Sequence, residues 1–314
     1  MNNAEIRATT SFQIPPEAKP FPRIVTENEL NYKEFSQQPE YVQANRELIS
    51  NFVKRLPDNF RHVDIATGTG LIPQLIIDEA IKENKTGIIF GIDPNVTSLN
   101  MAKINVRGTD KVRVEFIEGM GQDLKQLLKG KIPPEGVDGV GILDALHEIK
   151  NDEDKISVVN SMADILKPEG LFVFNSAFTT MGGSKEGMTW GRWKSKAMEL
   201  FGRKRDRSIQ AMPIHSPEEY RKIIENAGLN PVYERLKIVM LTQASLEAIS
   251  KYPAFSTGVL EDMPGQESIP IVDKCNAMIN ALRSLDIKGL PRVWDEIIAE
   301  KSATIGPSGT IFGK

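Results

Sequence analysis

Val63-Asp64-Ile65-Ala66-Thr67-Gly68-Thr69-Gly70 decides how this chain folds. An apolar run carrying one acid passes into a loop of small residues, and a helical pattern starts at Leu71. Glycines between a strand and a helix allow a tight turn and close approach of backbone to a ligand, whose polar groups meet the N–H donors of the helix start. A second strand pattern over 87–92 ends in Asp93, 23 residues after Gly70. An acid at that place and distance accepts both hydroxyls of a ribose. Two unrelated βα turns are the plainer reading, but they leave the coincidence of the two features unexplained.

Outward from this stretch, short apolar runs alternate with helical patterns, the signature of βαβ units and a doubly wound α/β sheet. Strands are predicted over 62–66, 87–92, 112–118, 137–143 and 171–175, with helices over 71–83, 96–106, 121–129 and 155–166. Such strands lie parallel, and ligands bind beyond their carboxyl ends. Upstream, 1–60 reads as a proline-containing arm followed by an amphipathic cap helix over 38–56. The core spans 61–178, and a tryptophan-bearing insert over 179–213 reads as a helical lid. Ser216-Pro217-Glu218-Glu219 opens a helix with N-cap and N1-proline chemistry, and 214–243 ends the core. A helical cap over 244–290 and a last strand and tail over 291–314 complete the chain.

The 314 residues are 40% hydrophobic and 26% charged, which suffices for a core and excludes global disorder. No apolar run is long enough to span a membrane, and the first residues lack the apolar stretch of a secretory signal. A single cysteine, Cys275, cannot form an internal disulfide and points to a reducing, cytoplasmic setting. The three histidines, His62, His147 and His215, lie outside helical spacing of one another, so no metal site is expected. A net charge of −3 gives no bulk signal for nucleic acid.

A dinucleotide site requires a third glycine where this chain has Pro73, and Asp64 has no part in holding a pyrophosphate. An adenosine carrying a cationic amino-acid arm suits the residues better. Taken with Gly91-Ile92-Asp93, 137–147 and Leu166-Lys167-Pro168-Glu169-Gly170, the stretch 64–70 resembles the successive motifs of class I S-adenosylmethionine (SAM)-dependent methyltransferases. Within that superfamily it is similar to small-molecule enzymes of the ubiquinone/menaquinone biosynthesis type. The resemblance covers about 38–178 and returns over 216–229. It implies a Rossmann-like methyltransferase sheet and SAM as the cofactor. It also implies roles: Asp64, Ala66, Thr67, Gly68 and Gly70 around the methionine part, Asp93 on the ribose, Pro94 against adenine. Gly119, Met120, Gly121 and Gln122 would lie where the family touches adenine, and Asp144, Ala145 and His147 beside the reacting methyl. Ala66 departs from the glycine usual at the first loop position, which the resemblance treats as a small change. Met120 replaces the acid that usually meets the adenine amino group, which then falls to Gln122, Asp123 or a carbonyl.

SAM brings its own electrophile, leaving the protein to position the acceptor and, for a hydroxyl, to take its proton. His147 is the candidate catalytic base, with packing or capping of a short turn as the alternative. Asp144 reads as a contact to the SAM ammonium, a contact to substrate, or a cap. His215 reads as a loop residue able to reach the pocket, and His62 as structural. Tyr32, Phe35, Tyr41, Trp190 and Trp193 are candidate substrate contacts, with core packing as the rival reading for the aromatic stripe. Met181, Met188, Met198 and Phe201 would add apolar walls.

Residues 185–207 carry +5, leaving −8 for the rest of the chain. Such a basic lid would receive an anionic small-molecule substrate or an acidic carrier protein, or simply be a solvated helix face. The expected reaction is methyl transfer to a mid-sized apolar metabolite, foremost at oxygen, by a protein able to form a homodimer. The alternatives are a non-catalytic SAM-binding protein of the same fold and an NAD(P)-dependent oxidoreductase.

Overall fold

The computed structural model describes residues 21–177, 179, 185–209, 211 and 214–303. Seven strands form one sheet in the order β3-β2-β1-β4-β5-β7-β6. They are β1 (Asn59–Ile65), β2 (Thr86–Asp93), β3 (Val112–Glu118), β4 (Val137–Leu143), β5 (Leu166–Ser176), β6 (Leu229–Thr242) and β7 (Gly289–Lys301). Strands β1 to β5 run parallel, with Asp64 level with Gly91 on one side and Gly141 on the other. Strand β7 is antiparallel to β5, placing Asp295 opposite Ser176.

The helices are α1 (Lys33–Ser36), α2 (Pro39–Arg55), α3 (Leu71–Lys82), α4 (Val96–Asn105), α5 (Leu124–Leu127) and α6 (Asp152–Ile165), then α7 (Lys185–Glu199), α8 (Pro217–Asn226), α9 (Gln243–Ser250), α10 (Pro253–Val259) and α11 (Ile271–Ser284). The chain divides into two compact units.

The larger unit comprises Ser36–Gly182, Pro213–Met240 and Pro291–Lys314. Its sheet carries apolar side chains on both faces. One face packs Val63, Ile65, Ile92, Val140 and Phe174 against α6 and α8, and the other packs Ile89, Val112 and Val173 against α2 and α3. Burial of both faces explains why these strands read as continuous apolar runs. Helix α2, expected in the cap, lies instead on the sheet: Leu48, Ile49, Phe52 and Val53 share a core with Leu75 and Ile76 of α3.

The second unit comprises Met1–Phe35, Gly183–Met212 and Leu241–Leu290. The insert and the 244–290 helices thus belong to one helical unit. Trp193, Met198 and Phe201 form part of its core, and the Trp193 indole N–H donates to the Met278 carbonyl at 2.8 Å. Before α1 the chain is extended and tied to α11, where the Asn276 side chain exchanges hydrogen bonds with the Val25 backbone.

The 121–129 segment departs from its predicted helix. It forms a 3-10 turn (Gly121–Asp123) followed by the single-turn α5, because Gly119 and Gly121 sit tightly against Leu127 and Val158. Residues 1–20, Met181 and the 306–314 tail, each read in the sequence, lie outside the described residues.

Candidate functional site

The loop after β1 is built from left-handed residues: Ala66 at φ 55°, Gly68 at 53° and Gly70 at 90°. Gly70 also has no room for a side chain, since a Cβ there would run into Val106. Ala66 adopts a conformation that costs a residue bearing a Cβ about 1 kcal/mol or more. The alanine is therefore a strained substitution rather than a harmless one. Ala66→Gly is expected to raise stability by about 0.5–1 kcal/mol after the greater unfolded-state freedom of glycine is allowed for. Thermal unfolding checks this, and a lower Tm for the variant would contradict it.

Asp93 ends β2 and organises the loop. Its Oδ2 accepts from the Gly68 N–H at 2.9 Å and its Oδ1 from the Asn95 N–H at 2.8 Å. Each carboxylate oxygen offers further lone pairs, so both can still accept from a ligand. Asp64 lies one strand away and is buried, with its Oδ2 lacking any hydrogen-bond partner among the described residues. Burial pushes its pKa up to about 7, and the Asp93 carboxylate adds to the rise. A buried carboxylate oxygen without a donor fits a cationic group such as an ammonium. Met120 is exposed and offers adenine no acceptor, whereas the Gln122 Oε1 is buried without a partner among the described residues. Pro94 follows Asp93, and Gly119 donates its N–H to the Asp93 carbonyl at 3.3 Å.

Beyond the carboxyl ends of β4 and β5 stands a second polar cluster. Asp144, at φ 50°, receives the Ala177 N–H on Oδ1 at 2.7 Å, and its own N–H donates to the Asn175 side chain at 2.9 Å. Burial raises its pKa to about 6, against the Ala177 N–H, the Tyr41 hydroxyl and the Arg292 guanidinium, which favour the charged form. Arg292, from the start of β7, is itself buried, and this lowers its pKa to about 10. Tyr220 of α8 packs on Phe174, and burial carries its phenol well above the ordinary value. Ala145 is half-buried beside Asp144.

His147 lies within this cluster, its Nδ1 3.4 Å from the Ser176 hydroxyl. Burial, with Arg292 and Lys155 as nearby cations, drives its pKa down to about 3. A base of that strength is neutral at physiological pH and a weak proton acceptor, which disfavours the expected catalytic role. His215 sets its Nε2 3.2 Å from Asp152, and the wholly buried Lys155 reaches the same carboxylate oxygen at 3.2 Å. His62 is wholly buried in the middle of β1, edge-on to Phe52, in keeping with a structural role.

The candidate substrate residues separate. Tyr41 is in the larger unit, packed on Trp294 at 6.0 Å. Tyr32, Phe35, Trp190 and Trp193 are in the helical unit. There Tyr32 stacks with Phe35 and Tyr252, while Trp193 is core, packed between Trp190 and Phe255. Met198 and Phe201 are core as well, and Met188 is exposed. Four of the eight cations of the basic lid are held within its own unit: Lys194 and Arg205 hold the buried Asp262 at 2.8 and 2.6 Å, Lys196 pairs with Glu199, and Arg203 donates to the Pro264 carbonyl. Those cations fasten the helical unit together. Sequence reading missed Arg292, Lys155, Ser176 and Tyr220, because each enters the cluster only through long-range packing.

Among the described residues no helix is long and apolar enough to cross a membrane, and no group of three or more His, Cys, Asp or Glu could hold a metal ion.

A parallel sheet closed by an antiparallel β7, with a glycine loop and an acid at the ends of β1 and β2, defines a Rossmann-like methyltransferase fold. Residues 56–228 match the family described as a methyltransferase domain, and the chain belongs to that family. It is a class I SAM-dependent methyltransferase with SAM as its cofactor. Similar solved structures include a protein assigned as a methyltransferase from Bacillus halodurans C-125, 14% identical over 83% of this chain and 100% of that one, with a TM-score of 0.51. Loganic acid methyltransferase with SAH is 12% identical over 87% of this chain and 95% of that one, with a TM-score of 0.55. At these identities the likeness concerns the fold. No curated protein matches the chain.

Proposed function

We propose that the enzyme methylates an oxygen atom of a small-molecule acceptor that carries negative charge. When bound, SAM supplies a methyl group already activated on a sulfonium. Asp93 would accept from the ribose hydroxyls, Asp64 would face the ammonium, and Gly68 and Gly70 would let the loop backbone approach. Gln122 would serve the adenine amino group in place of the missing acid.

The observation that carries the acceptor class is the pair of buried cations, Arg292 and Lys155, near the end of β4. A buried guanidinium favours an anionic oxygen strongly, because little water screens the interaction. An acceptor already ionised, such as a carboxylate or a phenolate, needs no strong base, which agrees with a neutral His147. In this reading His147 holds Ser176 and shapes the wall of the site.

Release of S-adenosylhomocysteine (SAH) from SAM, measured across carboxylic acids, phenols, neutral alcohols and amines, tests this proposal. Turnover is expected with the anionic oxygen acceptors, and Arg292→Met is expected to raise their KM by about 10- to 100-fold, the scale of one charged hydrogen bond. Turnover confined to amines or neutral alcohols would contradict it.

A further inference from the structure

Strand β6 ends the sheet, with no strand on its outer side among the described residues. It runs for 14 residues, and one face presents Val232, Leu236, Ile238 and Met240, each between 44% and 72% exposed. The alternate residues turn the other way: Tyr233 donates to Glu296, and Arg235 and Lys237 pair with Glu47 of α2. Native edges are normally short, charged or interrupted by proline. Here Pro231 guards only the start of the strand and Glu234 alone interrupts the apolar row. A long apolar edge of this kind marks an interaction surface.

We infer that β6 pairs antiparallel with β6 of a second copy of this chain, about a two-fold axis at Leu236. Residues opposite one another in an antiparallel pair share a face. An axis at Leu236 sets Leu236 against itself and Val232 against Met240, with Glu234 facing Ile238. Moving the axis to position 235 puts Glu234 against Leu236, and moving it to 237 puts Glu234 against Met240 and Val232 against Thr242. An axis at 238 matches as many apolar side chains but pairs only residues 234–242, whereas the axis at Leu236 pairs 230–242, nearly the whole strand. Arg235 then faces Lys237 of the second copy, each beside its own Glu47.

The area is adequate for a stable dimer. A strand of this length spans about 48 Å. A strip about 15 Å wide along it removes roughly 700 Å² from each copy, inside the range of about 600–1,000 Å² per partner for specific interfaces. A two-fold pairing uses the β6 edge of both copies and closes at the dimer.

Sedimentation velocity of the full chain at tens of micromolar is the test. The expected species has twice the monomer mass of 34.9 kDa. Leu236→Lys, which sets two like charges against each other on the axis, is expected to give monomer, with SAH binding unchanged as the control for folding. Under mild oxidation Leu236→Cys should cross-link to itself, since opposed Cα atoms lie about 4.5–5.5 Å apart. Val232→Cys should cross-link only when mixed with Met240→Cys. The remaining cysteine, Cys275, is buried. A wild-type monomer at these concentrations, which would leave the face to a different macromolecule, overturns the inference. So does a dimer untouched by Leu236→Lys, self-cross-linking of Val232→Cys, or assembly beyond the dimer.

Discussion

Asp93→Ala is expected to weaken SAH binding by about 100-fold or more. Two ribose hydroxyls donating to one carboxylate are charge-assisted hydrogen bonds, each contributing about 1.5–3 kcal/mol. Their joint loss exceeds the roughly 2.7 kcal/mol that corresponds to a factor of 100. The same carboxylate holds the Gly68 N–H, so the loop loses a support as well. Asp93→Asn keeps one acceptor oxygen and should fall between the two. Isothermal titration calorimetry with SAH reads the effect. Unchanged affinity in Asp93→Ala would show that the ribose is held elsewhere.

The second large effect is a dependence of cofactor affinity on pH. Asp64 has a pKa of about 7 without ligand, raised by its burial, whereas it must be ionised to face an ammonium. Binding therefore releases a proton below pH 7, and the affinity for SAH should fall about tenfold for each pH unit below that value. Above it the dependence flattens. The sign follows from the raised pKa: the protonated carboxyl dominates at low pH, and the ligand selects the ionised form. Asp64→Asn should bind weakly and lose this dependence, which separates Asp64 from Asp144, whose pKa lies near 6. A flat profile between pH 5 and 8 in the wild-type enzyme would place the ammonium away from Asp64.

The geometry of the β1 and β2 loops, the proposed cofactor end, was legible in the sequence because its information is local. Asp64, Gly68, Gly70 and Asp93 lie on two consecutive βα turns, and the spacing alone brings them together. The polar cluster proposed as the acceptor end was not legible in the same way. Arg292 could be read as part of a last strand, but only the insertion of β7 beside β5 brings it near Asp144. The basic run over 185–207 suggested an anion site, and the structure uses Lys194 and Arg205 to hold Asp262 instead. Charge counts do not show which cations have partners. His147 stood out as the one histidine near a carboxyl strand end, but neither its burial nor its two cationic neighbours could be read from its own segment. Helix α2 showed its amphipathic face plainly, yet periodicity does not say which surface that face covers, and it covers the sheet.

Calorimetric titration of the wild-type protein with SAH, run beside NADH, tests the central claim most directly. One SAH per chain with micromolar affinity, and no heat from NADH, is the predicted result. Absence of SAH binding at millimolar ligand, or binding of NADH in its place, would contradict the assignment of the β1 and β2 loops to SAM.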